Sequence, residues 1–249
     1  MHRTSIAATC TALLFAAASC RSTGAIASTE RSAFDSGSAG GTAPANAAAS
    51  QAAPVTAASA ESRKLVVEKA VLGQPAPDFK LTDVDGKIYQ LSQFRGRPVV
   101  LEWFNPRSEH SQDLYREGGI LREMPERLAG QGVVWLTINS EAPGEPGSGA
   151  DENKAFKLAC GMWSPILMDP TGAVGRAYGA KTAPHLFLIS GKGLLVYRGA
   201  LDNAPLGVVP IKDVKTNYLD LALRDLRSGH AVMIGQTQPY GARIHYARP

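Results

Sequence analysis

Cysteine is scarce in this chain: its 249 residues include three, Cys10, Cys20 and Cys160. That number cannot staple a disulfide scaffold, and no two of the three stand at metal-site or Cys-x-x-Cys spacing. Charge of one sign is equally lacking. There are 26 Lys+Arg against 22 Asp+Glu, a net charge of +4. Through Glu61 the tally is even, with Arg3, Arg21 and Arg31 against Glu30, Asp35 and Glu61. The excess is spread over the rest of the chain without a dense Lys/Arg run. A nucleic-acid binder carries a basic stripe, so nucleic acid is not the expected partner. The apolar stretch from Ile6 to Ala18 is too short to span a bilayer as a stable helix. No internal repeat is present.

What is there divides the chain into three. Residues 1–20 read as an export signal, with Arg3 as the positive start and the apolar stretch behind it. Ala17-Ala18-Ser19-Cys20 matches the end of a bacterial lipoprotein signal, in which Cys20 carries the lipid; cleavage after Ala25-Ile26-Ala27 is the alternative. On either reading Cys10 leaves with the signal. Residues 21–64 are rich in Ala, Ser, Gly and Thr, with little to bury, and should form a flexible tether. The expected destination is the bacterial cell envelope or periplasm, with the protein held on a membrane through lipidated Cys20.

The folded domain is expected over residues 65–249. Phe79-Lys80-Leu81 and Lys87 to Leu91 flank Asp85-Gly86, a hairpin signal. Val99 to Phe104 and Val133 to Ile138 are nearly continuous apolar runs, as strands buried on both faces require. Between them Asn105-Pro106 should cap and open a helix that Gly118-Gly119 and Pro125 break or kink before Gly130 to Gly132. After a Gly/Pro-rich loop, Asp151 should cap a helix reaching Cys160. A short strand follows at Ile166 to Met168, then a turn at Asp169 to Gly172 and a helix ending near Gly179. His185 to Ile189 and Leu194 to Arg198 form a second hairpin, and Tyr218 to Leu226 an amphipathic last helix. The order predicts an α/β protein: a mixed central sheet flanked by helices, with an N-terminal β-hairpin extension and one inserted helix.

From Gln74-Pro75-Ala76-Pro77-Asp78-Phe79 to about Asp202 the chain resembles the redoxins. These are the alkyl hydroperoxide reductase/thiol-specific antioxidant group, peroxiredoxin-like proteins and related thiol-disulfide oxidoreductases. The opening motif, the Asp-Gly hairpin, the buried strand into Asn105-Pro106, and Thr182-Ala183-Pro184 occur in the family's order. The resemblance implies a thioredoxin-like fold and oxidoreductase chemistry. In the family, Asn-Pro-x-Cys-Pro opens the first helix and its Cys is the redox nucleophile; here Ser108 stands at that position and Glu109 at the following proline. In a close subgroup a second Cys follows Pro-Tyr-Gly; here Pro239-Tyr240-Gly241 precedes Ala242. A thiol with a pKa of about 8.5 becomes a thiolate at a helix N-terminus. A serine hydroxyl does not, and needs a neighbouring base to act as a nucleophile. Ser108 is therefore expected to be a helix-terminal hydrogen-bonding residue, with Glu109 favourably placed near the positive helix end.

The resemblance assigns further residues. Glu102, six residues before Ser108, matches the buried carboxylate that handles protons for the thiols of thioredoxins, and desolvation should raise its pKa. Pro184 matches the family's cis-proline, beside which Ala183, Arg107 and Ser108 would line a groove that holds an extended peptide or an envelope protein. His110 and His185, with Glu109, are candidates for a metal site. Cys160 is either a small core residue or a relocated redox thiol. No cofactor is called for. Two functions stay open: a redox-inactive binding or scaffold domain, and an antioxidant or thiol-disulfide oxidoreductase that uses Cys160 or a partner's thiol.

Overall fold

The computed structural model describes residues 69–209 and 211–248. The expected signal over 1–20, with Cys10 and the lipid-bearing Cys20, and the tether over 21–64 lie outside the described residues.

Two apolar runs place the centre of the sheet. Strand β3 (Val99–Trp103) and strand β4 (Val134–Asn139) are buried at every position and run parallel, with Glu102 opposite Thr137. Alternation sends Val99, Leu101 and Trp103 to one face and Val100 and Phe104 to the other. On the other side of β3 lies antiparallel β7 (His185–Ile189), which pairs in turn with β8 (Leu195–Gly199). Beyond β4 come parallel β5 (Ile166–Met168) and then antiparallel β1 (Lys80–Asp83) and β2 (Ile88–Gln90). The order across the sheet is β2-β1-β5-β4-β3-β7-β8. The hairpin turn is closed by Asp83, whose Oδ1 accepts the N–H groups of Asp85 and Lys87 at 2.9 and 2.8 Å.

Helices cover both faces. Helix α4 (Ala173–Tyr178) packs Tyr178 against Trp103 and Phe187, with ring centroids 5.4 and 5.5 Å away. The opposite face receives Leu114 and Tyr115 of α1 (Glu109–Tyr115), Leu121, Met124 and Leu128 of α2 (Ile120–Ala129), and Leu219, Ala222 and Leu223 of α5 (Tyr218–Arg227). Phe156 and Cys160 of the inserted helix α3 (Ala150–Cys160) pack against the same cluster. The architecture is the thioredoxin-like α/β fold.

Three local expectations change, and the expected break at Gly118-Gly119 is found. Asn105 does not cap the first helix; α1 begins at Glu109 with Ser108 as its cap. The break before α2 comes at Gly118, whose φ of 73° favours glycine, and at Gly119, where a Cβ would fall 2.4 Å from the Leu114 carbonyl oxygen. Pro125 does not break α2; it lies on the buried face with Leu121, Met124 and Leu128. Gly149 rather than Asp151 precedes α3, and Asp151 sits in its first turn with Glu152. A two-stranded ladder that the sequence did not announce joins β6 (Thr182–Ala183) to β9 (Ala242–Arg243).

Candidate functional site

The site lies where β3 gives way to α1. Asn105 makes the turn: its Oδ1 accepts the Arg107 N–H at 2.7 Å, and its Nδ2 donates to Glu141 Oε1 at 2.9 Å and to the Pro146 carbonyl at 3.1 Å. This delivers Ser108, 2% exposed, to the helix start. Ser108 Oγ accepts the Ser111 N–H at 3.4 Å and donates to the Ala183 carbonyl oxygen at 2.6 Å. Its proton thus goes to a peptide carbonyl, which is no general base, and nothing here activates the hydroxyl as a nucleophile. His110 is turned elsewhere, its ring 5.6 Å from that of Tyr240.

Across from Ser108 the Ala183-Pro184 bond is cis. The β6 edge beside it is occupied by the chain's own C-terminal segment, with Ala183 opposite Ala242 and Thr182 opposite Arg243. Gly241 approaches so closely that a Cβ would fall 2.3 Å from the Ala183 oxygen, and its φ of 125° favours glycine. The segment continues inward. The Ile244 N–H donates to the Lys181 carbonyl at 3.1 Å, the Tyr246 hydroxyl to the Ala180 carbonyl at 2.9 Å, and Ile244 is buried in the core. Glu141 ties both sides together, since its Oε2 accepts the His245 N–H at 2.9 Å while Oε1 holds Asn105. Positions 108 and 242, 134 residues apart in the sequence, therefore flank one alanine.

The other residues singled out from the sequence are not all gathered here. Arg107 turns away from β6 to form an ion pair with Glu152 of α3, and lines a separate open hollow with Pro106, Gln112 and Phe156. Cys160 ends α3, eight residues past Glu152, which is about 12 Å along a helix axis, and packs against the apolar cluster of Leu121 and Met124. His185 is 4% exposed on β7, its Nδ1 accepting the Lys181 N–H at 3.2 Å and its ring 4.4 Å from Phe187. Burial, with Lys181 and Arg198 adding positive charge, pushes its pKa down to about 3. The proposed pairing with His110 is corrected on this ground: one imidazole is buried in the sheet and the other rests on Tyr240. Among the described residues no group of three His, Cys, Asp or Glu is placed to hold a metal.

Glu102 is completely buried under α1. Its Oε2 accepts from the Tyr115 hydroxyl at 2.6 Å, Trp135 Nε1 at 2.9 Å and Thr137 Oγ1 at 3.3 Å, while Oε1 has no partner. Burial outweighs the three donors and raises its pKa to about 7. The sequence pointed to the carboxylate and not to its donors, which come from two different elements, α1 and β4. Glu141 and Tyr240 were missed as well. Tyr240, whose hydroxyl donates to Asp202 Oδ1 at 2.5 Å, stood in sight in the Pro-Tyr-Gly motif.

Comparison with known proteins places the chain among redoxins. The AhpC/TSA family profile matches residues 72–198. The thiol-disulfide oxidoreductase ResA of Geobacillus thermodenitrificans is 31% identical over 122 residues, 49% of this chain and 65% of that protein, just under two thirds of its length. The thiol:disulfide interchange protein DsbE of Yersinia pestis is 30% identical over 148 residues, 55% of this chain and 68% of that one. Among solved structures, a hypothetical protein of Sinorhizobium meliloti superposes with a TM-score of 0.63 at 28% identity, covering 73% of this chain and 98% of its own. An uncharacterized conserved protein of Geobacillus kaustophilus gives 0.62 at 26%, covering 72% and 94%.

Proposed function

The chain belongs to the AhpC/TSA family, and from that premise we propose that it is a member that works without thiol chemistry, as a binding or scaffold domain exported to the cell envelope and anchored by a lipid on Cys20. One observation carries the reading: the hydroxyl at position 108 spends its proton on the Ala183 carbonyl, and the residue across from Ala183 is Ala242. Disulfide exchange needs a thiolate to attack sulfur and a second thiol to release the product. An alcohol and a methyl group supply neither.

The partner of this reading is an extended peptide or envelope protein paired with the β6 edge. Because β9 holds that edge, such a partner gains it by displacing β9. Backbone pairing of this kind needs no thiol.

A second reading rests on the names of the relatives, thiol-disulfide oxidoreductase and thiol:disulfide interchange protein, and on Glu102, whose raised pKa suits a proton carrier. It makes Cys160 the working thiol. Insulin reduction and peroxide consumption, measured on the wild type and on Cys160→Ser, separate the two. The wild type is expected to match buffer in both assays. Turnover in the wild type that Cys160→Ser removes would overturn the first reading in favour of the second.

A further inference from the structure

Between Lys181, His185 of β7, Arg198 of β8 and residues 236–239 the structure holds a recess of about 210 Å³. Its walls are Lys181, His185, Arg198, Gln236, Thr237 and Gln238, with Gly179 and Pro239 at the margin. No carboxylate lines it. Two cations, two primary amides and an imidazole face one small volume, and its only side-chain charges are positive.

The walls are fixed. Arg198 is held in β8, where its N–H donates to the Gly235 carbonyl at 3.0 Å and its carbonyl accepts the Thr237 N–H at 3.1 Å. Its Nε donates to Gln236 Oε1 at 2.9 Å, which spreads the guanidinium along the rim. Thr237 is pinned from below, its Oγ1 2.7 Å from the Tyr197 hydroxyl and accepting the Ala200 N–H at 2.9 Å. Gly199 lets this segment approach, since a Cβ there would fall 2.1 Å from Thr237 Oγ1.

His185 adds a neutral donor to the recess. Its Nδ1 accepts the Lys181 N–H, so the neutral ring carries its proton on Nε2. The side chain is 4% exposed, and among the described residues none accepts that Nε2–H. That N–H is open to solvent, and an acceptor that enters the recess can take it.

We propose that this recess is a binding site for a compact oxyanion of the phosphate type, held by the Lys181 ammonium, the Arg198 guanidinium and the His185 Nε2–H. A guanidinium presents paired donors to such an oxyanion and an ammonium adds a point charge. The volume admits such an oxyanion with a short ester. Its roof, residues 236–239, leads directly into Gly241 and β9, so an occupant would fasten the segment that covers β6.

The test is calorimetric titration of the full chain with inorganic phosphate at fixed ionic strength, repeated on Lys181→Met and on Lys181→Met/Arg198→Met. The Lys181 side chain is exposed and its backbone bonds survive the change, which keeps the single variant informative if the double one fails to fold. Saturable one-to-one binding is expected in the wild type, weaker by about tenfold or more in Lys181→Met, while Arg122→Met on α2 binds as the wild type does. The His185 Nε2–H nuclear resonance should move on titration. Phosphatidylglycerol vesicles offered to the same proteins distinguish a lipid headgroup from a soluble anion: capture that the Lys181→Met change weakens assigns the headgroup as source. The proposal is overturned if no saturable binding occurs with either probe, or if the variants bind as the wild type does.

Discussion

A carboxylate with one oxygen crowded by three donors and the other bare is held near the middle of its titration at neutral pH. Glu102 has its pKa raised from 4.5 to about 7 because burial disfavours its charge more than Tyr115, Trp135 and Thr137 stabilise it. The sign of the consequence is fixed. Below the unfolded value both states hold the proton and stability is intact. As pH rises toward 7 the unfolded chain ionises first, and stability falls by about 3 kcal/mol before levelling off. His185 acts in the other direction: its depressed pKa leaves stability intact above about pH 6.5 and removes it on acidification. The two must therefore be separated by difference. Urea unfolding of the wild type and of Glu102→Gln between pH 4.5 and 8 should show the wild type losing stability relative to the variant as pH rises. Parallel curves would mean that Glu102 titrates normally.

At the scale of elements, the ladder between β6 and β9 decides what the start of α1 can touch. Ser108 Oγ donates to the Ala183 carbonyl and Ala242 stands opposite Ala183 in the ladder, so positions 108 and 242 meet at one residue. Cysteines restored at both positions are expected to cross-link within the chain. In a Cys160→Ser background, Ser108→Cys/Ala242→Cys should lose two titratable thiols on mild oxidation and regain them with dithiothreitol, while each single variant keeps its thiol. Two thiols that persist under oxidation would show that β9 does not sit at this register in solution. The turn into α1 explains why Arg107 faces away from β6. The Asx turn at Asn105 points residue 107 outward to Glu152 and residue 108 inward.

At the scale of the whole chain, the domain packs a sheet between helices. Every descriptor of its position in the cell comes instead from residues outside the described region. If Cys20 carries a lipid, the wild type expressed in a bacterium should fractionate with membranes and take up labelled palmitate, and Cys20→Ser should lose both and appear in the soluble fraction. Among the described residues no helix is long and apolar enough to cross a membrane. Membrane recovery of Cys20→Ser equal to the wild type would remove the lipid anchor from the account.

Sequence alone determined the architecture, because burial on both faces leaves its mark as continuous apolar runs. Val99 to Phe104 and Val133 to Ile138 could be little other than neighbouring central strands. It also determined that sulfur is missing at positions 108 and 242, since composition does not depend on folding. Tertiary structure alone decided what replaces it. Hydrogen bonds between residues 75 positions apart, such as Ser108 with Ala183, have no periodicity to betray them. A two-residue strand such as β9 carries too few side chains to form a pattern, and its place is set by the backbone groups of β6 and by Ile244 entering the core. Pairing of distant polar groups is a property of the folded arrangement, whereas the hydrophobic rhythm is written along the chain.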